Sequence, residues 1–154
     1  MILEIKKYPD PVLKQKTEEV KEISKEIEVL IGNMVETMQK KDGLGLAAPQ
    51  VGVAKKIIVV QSSKGPMAFI NPCIISKSKE KEIVEEGCLS FPGVWLKIKR
   101  SKGVEINALN IEGKEINLKA VGLLARILQH EIDHLEGKLI INRLSFFQKL
   151  KSKI

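Results

Sequence analysis

The stretch that decides the reading is His130-Glu131-Ile132-Asp133-His134. It lies in a segment from about Val121 to Glu136, stopped by Gly137, whose spacing predicts a helix. Histidines at i and i+4 of a helix point the same way, so two imidazoles can hold one metal ion. Glu131, between them, is close enough to take a proton from water activated there. Such a pair could instead be a surface accident or a satisfied core pair. Ile127 shares the face of His130 and His134, however, with Leu123 and Leu124 close by. Imidazoles facing a core need a partner. No other histidine occurs in the 154 residues.

Two imidazoles do not complete a catalytic metal site, which normally has three protein ligands. The third must be Cys, Asp or Glu. Glu136 is too near along the helix to be an obvious choice. Cys88 stands in Glu86-Gly87-Cys88-Leu89-Ser90, where the glycine lets backbone approach closely and a thiolate suits a soft divalent ion. Alone, Cys88 would read as a small buried hydrophobe; beside a two-histidine helix it reads as a ligand. Cys73, after Asn71-Pro72, has no such context and is expected in the core.

A third segment, Gly43-Leu44-Gly45-Leu46-Ala47-Ala48-Pro49-Gln50, reads as a loop of small residues. Its glycines permit a backbone path close to a ligand, and the Gln50 amide is a donor that could stabilise an oxyanion. It is not a phosphate loop, for it lacks the Gly-Lys-Ser/Thr ending. By itself it could be a plain connection.

The rest of the chain supplies a frame. Val20, Ile23, Ile27, Leu30, Ile31, Met34, Val35 and Met38 repeat at three and four residues, predicting a helix that ends at Asp42-Gly43. Lys56–Gln61 and Met67–Asn71 read as buried strands around the turn 62–66. The charged run 77–86 predicts an exposed strand or ribbon. Alternation at Val94, Leu96 and Ile98, at Val104, Ile106 and Ala108, and at Ile116 and Leu118 predicts further strands, with Glu112-Gly113 as a hairpin turn. A short strand is expected at Leu139–Ile141 and a basic helix over Ser145–Ile154. The expected fold class is α+β: antiparallel or mixed sheets around a central metal-binding helix, with an N-terminal and a C-terminal helix. Residues 1–154 are expected to form one catalytic domain.

Composition agrees. Apolar residues are 44% and charged residues 29%, which excludes a wholly disordered chain. The longest strongly apolar run, Ile57–Val60, is far short of the ~20 residues of a membrane span. No basic stretch leads into an apolar core at the start, so no signal peptide is expected and the location expected is cytoplasmic. The net charge of +7 favours an anionic neighbour. No DNA or membrane partner is expected.

The three motifs, in this order and spacing, resemble peptide deformylase, and the similarity runs from Tyr8-Pro9-Asp10-Pro11 to Leu144. The resemblance implies a hydrolase that removes the formyl group from N-formylmethionine on nascent peptides and releases formate. By matching positions, Cys88, His130 and His134 would bind one divalent ion, usually Fe(II), with Zn, Ni or Co possible. Glu131 would serve as general base and then acid, and Gln50 with the backbone N–H of Leu89 would hold the oxyanion. The peptide would add as a strand along the Gly-rich segment and Gly87, so Leu44, Gly45, Gly87 and Ile127 are candidate substrate-binding residues. Arg100 would pair with Glu86 and brace the Cys88 segment, or else belong to the solvated run 97–100. Asp133 reads as a structural carboxylate. Trp95 is open between the rim of the site and a cover for the sheet. The basic tail 145–154 could pack on the body or serve as a handle for the ribosome. The rival readings are a zinc metalloprotease and a catalytically idle ribosome-associated module of the same fold.

Overall fold

The structure, a computed structural model, describes residues 1–144. Ser24 opens the first long helix: its Oγ accepts from the Ile27 N–H at 3.3 Å, and α1 runs Lys25–Lys40. Val20 and Ile23, at the head of the predicted stripe, precede the helix and lie outside it. The side chain of Asn71 holds both backbone groups of Val20 there, at 2.8 and 2.9 Å.

Seven strands follow: β1 (Gly45–Ala47), β2 (Ile57–Ser62), β3 (Gly65–Lys77), β4 (Lys81–Cys88), β5 (Phe91–Ser101), β6 (Gly103–Leu109) and β7 (Glu115–Val121). Then comes α2 (Leu123–Leu135). Five strands form one antiparallel sheet in the order β1-β2-β3-β6-β7. The remaining pair, β4 and β5, make a separate antiparallel ribbon. The α+β class is thus observed, with α2 at its centre.

The four-residue apolar run Ile57–Val60 explains how the layers assemble. Side chains of a strand alternate between faces, so a continuous run is apolar on both. Ile58 and Val60 join the core cluster with Ile127, Leu128 and Ile132 of α2. Ile57 and Val59 join the other cluster with Ile31, Met34 and Met38 of α1. All four are fully buried. One strand is therefore sandwiched between the two helices. The ribbon packs through a third cluster, with Phe91 and Ile98 against Leu13, Leu139 and Ile140.

Three local expectations are corrected. The Gly-rich segment is not only a loop: Gly45–Ala47 pairs with β2 as the edge strand of the sheet, and Ala48–Val51 forms a 3-10 turn. The residues 139–141 are not a strand; Ile140–Arg143 form a 3-10 turn, with Asn142 Oδ1 accepting from the Leu139 N–H at 2.7 Å. Cys73 is exposed rather than in the core. The β3–β6 register shifts between Ile70 and Cys73, beside Asn71 at φ +52°, and the inside–outside alternation is interrupted there. The predicted tail helix lies outside the described residues. No described helix is long and apolar enough to cross a membrane.

Candidate metal centre

The sequence of α2 is polar for a helix so deeply placed. Every residue from Ala125 to Leu135 is buried, among them Arg126, Gln129, His130, Glu131, Asp133 and His134. Buried polar groups must be hydrogen-bonded or cost free energy, so each side chain needs an assigned partner.

His130 directs Nδ1 at Glu86 Oε1, 2.9 Å away. That bond orients the ring and leaves Nε2 available. His134 Nε2 lies 3.4 Å from Cys88 Sγ. Ligand atoms of Cys88, His130 and His134 all fall within 4.8 Å of one another. A tetrahedral ion with bonds of about 2.0–2.3 Å sets its ligand atoms about 3.3–3.8 Å apart. The donor set, two imidazoles and a thiolate, also suits a catalytic zinc-like or ferrous site. Among the described residues, two buried side-chain polar atoms have no hydrogen-bond partner: Glu131 Oε1 and His134 Nδ1. Both belong to this cluster. These residues fit a divalent ion.

Cys88 reaches the site by hairpin geometry. It ends β4 opposite Phe91 on β5, with Leu89-Ser90 as the two-residue turn. The Leu89 N–H therefore follows the sulfur directly. Gln50 stands on the other side. Its Oε1 accepts from the Ala47 N–H at 3.0 Å, which fixes the amide orientation. Its Nε2 donates to Ser90 Oγ at 3.1 Å and makes a longer contact to Cys88 Sγ at 3.5 Å. The N-terminal segment ties the two motifs together: Lys6 N–H donates to Gln50 O at 2.7 Å, and Ser90 Oγ donates to Lys6 O at 2.7 Å.

Glu131 packs against β1. A Cβ on Gly45 would stand 2.5 Å from Glu131 Oε2, so only glycine leaves room for that carboxylate. Burial pushes Glu131 up to about 7, against the opposing pull of His130 and Arg100. A carboxyl poised there can both take and give a proton near neutral pH. Burial opposes charge on His130 too, but the Glu131 carboxylate, Cys88 and Glu86 outweigh it and raise its pKa well above the ordinary value. Burial and the neighbouring His130 push His134 the other way.

A cavity of about 410 Å³ opens beside these groups. Leu44, Gly45, Gly87, Ile127, His130 and Glu131 line it, together with Gln50, Cys88 and Leu89. The structure thus brings every predicted site residue to one place. Leu44 is half exposed at the mouth, whereas Ile127 is buried in the wall. Trp95, left open by the sequence, is mostly exposed and lies over Gly87; a Cβ on that glycine would stand 2.8 Å from the indole.

Charges in the wall were only partly legible. Arg100 is buried, not solvated, and donates through Nε and Nη2 to Glu86 at 2.7 and 3.0 Å and through Nη1 to Asp133 at 2.9 Å. Burial alone would raise Glu86, but bonds from His130 and Arg100 hold it at about 2. Asp133 also takes two bonds from Arg143, at 2.8 and 2.5 Å. Arg126 escaped the sequence reading. The available signal was its position four residues before His130, which puts its charge on the ligand face of the helix.

Residues 2–150 match the family described as polypeptide deformylase. A peptide deformylase of Thermodesulfovibrio yellowstonii is 50% identical, over 99% of this chain and 98% of its own. One from Halothermothrix orenii is 51% identical, covering 93% and 94%. The crystal structure of the Thermotoga maritima peptide deformylase superposes with a TM-score of 0.92 at 41% identity, over 94% of this chain and 99% of that one. That of Synechococcus elongatus, in complex with actinonin, gives 0.92 at 41% identity, over 97% and 82%. Agreement of this extent, over nearly the whole chain, means that this protein belongs to the polypeptide deformylase family.

Proposed function

We propose that the chain removes the formyl group from the N-terminal formylmethionine of newly made polypeptides and releases formate. The carrying observation is the meeting of Cys88, His130 and His134 with the Glu131 carboxylate and the Gln50 amide beside one cavity. In this reading Cys88 Sγ and the Nε2 atoms of His130 and His134 hold a divalent ion. Bound there, such an ion makes water acidic enough to deprotonate near neutral pH and polarises a carbonyl. Glu131 accepts that proton and later delivers it to the leaving amine, the exchange its raised pKa supports. The Gln50 Nε2 and Leu89 N–H donors bind the carbonyl oxygen as it gains charge. One such donor is typically worth about 2.7–4 kcal/mol in the transition state. The 3.5 Å contact from Gln50 to sulfur is the weak one that a substrate oxygen would displace.

The substrate backbone adds to the outer edge of β1 and to the Gly87 end of β4, which supports acceptance of many sequences. Gly45 and Gly87 would lie along the added strand, and Leu44, Ile127 and His130 would form the receptacle for the methionine side chain. Iron(II) is the favoured ion in the cell, with zinc, nickel or cobalt as substitutes; metal analysis of anaerobically purified protein tests this. Residues 1–154 would act as one catalytic domain in the cytoplasm. The basic tail 145–154 either packs on the body or serves as a ribosome handle; loss of low-salt co-sedimentation on its deletion would support the handle, and unchanged co-sedimentation would count against it. The function itself is tested by formate release from formyl-Met-Ala against cleavage of an unblocked peptide. Cleavage of the unblocked peptide would favour a protease, and neither activity an idle module.

A further inference from the structure

We propose that Arg126 is a positioning residue for the metal centre: it straps the β4–β5 ribbon to α2 and so fixes Cys88 relative to the two histidines. The inference rests on the reading of Cys88, His130 and His134 as ligands. Two of these ride on α2 and the third on a ribbon that shares no strand pairing with the main sheet. The ligand geometry therefore depends on the contacts between helix and ribbon, beside the ties of Ser90 to Gln50 and Lys6 at the turn.

Arg126 makes the contact that spans both strands. Its Nη1 donates to Glu86 Oε2 at 2.5 Å and to the Ile98 carbonyl of β5 at 2.9 Å. Its Nη2 donates to the Glu82 carbonyl of β4 at 2.7 Å. Glu86 in turn accepts from His130 Nδ1 through its other oxygen. One guanidinium thus grips two backbones and the carboxylate that orients a ligand ring. The planar fork of arginine can do this, whereas a lysine ammonium is a single point charge on a flexible stem. Gln129, which brackets the backbone of Ser101 at 3.2 and 2.9 Å, and the Arg100–Asp133 pair remain when Arg126 is removed. Loss of Arg126 loosens the ribbon without freeing it.

The test uses full-length Arg126→Met and Arg126→Lys with Co(II) as the probe, because thiolate-to-cobalt absorption reports Cys88. Partners that orient metal ligands typically contribute 10–100-fold to metal affinity. Arg126→Met is expected to weaken Co(II) binding by about that factor, to dim the thiolate band, and to narrow the gap between loaded and metal-free melting temperatures. Arg126→Lys, which keeps charge opposite Glu86, is expected to fall closer to the methionine variant than to the parent. Wild-type affinity and spectrum in both variants, with equal losses of melting temperature loaded and metal-free, would overturn the proposal as mere packing. If Arg126→Met does not fold, Arg126→Lys decides alone, and wild-type affinity there overturns it. A parent chain that takes Co(II) without a thiolate band overturns the ligand reading itself, a result distinct from unchanged variants.

Discussion

The two α-helices of the described residues are buried for different reasons. Only Ile31, Met34, Thr37 and Met38 of α1 are buried, on one face, and the exposed positions are mostly Lys and Glu, with Val29, Gly32 and Gln39 among them. Its position follows from the hydrophobic effect, which is non-directional. In α2, 11 of 13 residues are buried, and Arg126, Gln129, His130, Asp133 and His134 meet partners on other elements, whereas Glu131 does not. One helix contributes stability and the other chemistry, so substitutions in them should separate the two quantities.

The largest effect belongs to Glu131→Gln. The amide cannot exchange a proton, and positioned acid–base groups contribute about 10²–10⁴ in rate. Formate release is expected to fall by that factor in kcat while bound metal, measured by atomic absorption, stays at the parent level. Folding stability is expected to hold, because the change removes a buried carboxyl with an unpaired oxygen. Met34→Ala in α1 is the mirror image. Met34 is fully buried, and truncations of this kind cost about 2–5 kcal/mol. Urea unfolding should show that loss, with kcat per folded molecule unchanged. If Met34→Ala lowers kcat as Glu131→Gln does, the division between the helices is wrong.

Gly45→Ala comes next and tests the border between the regions. The added Cβ collides with the Glu131 carboxylate at 2.5 Å and forces it aside. A misplacement of about 1 Å can cost on the order of 100-fold in rate. The expected result is a fall of that order in kcat with little change in melting temperature. A large loss of stability with normal kcat would show that β1, not Glu131, yields.

Much of this frame was legible because periodicity is local. The stripe of α1, the run Ile57–Val60 and the alternation of β5 and β6 state which faces are buried without knowing what covers them. The strand β1 was not legible, since three residues are too few to show a period. The metal motif was legible because two of its ligands lie one turn apart on a helix. Its supports were not: Arg126 meets Glu86 across 40 positions, and Ser90 meets Lys6 across 84. A charge looks solvated in sequence until the fold brings its partner. Arg100, in a run of lysines, would look solvated from composition alone; the resemblance instead implied a pairing with Glu86, and the residue is buried with that carboxylate and Asp133.

The smallest effect checks how completely α1 is insulated. Ser24 caps its N-terminus through Oγ, and loss of such a cap costs about 1 kcal/mol. Ser24→Ala should lower the unfolding free energy by that amount, read as a lower urea midpoint at unchanged m-value, since no new surface is exposed in either state. The far end of α1 leads directly to Gly43 and β1, so fraying that spread along the helix would reach Glu131 through Gly45. Helix ends fray locally, however, and the burial of Met34 and Met38 lies between. Formate release by Ser24→Ala is therefore expected at the parent rate; a reduced kcat would mean that α1 sets the active-site carboxyl after all.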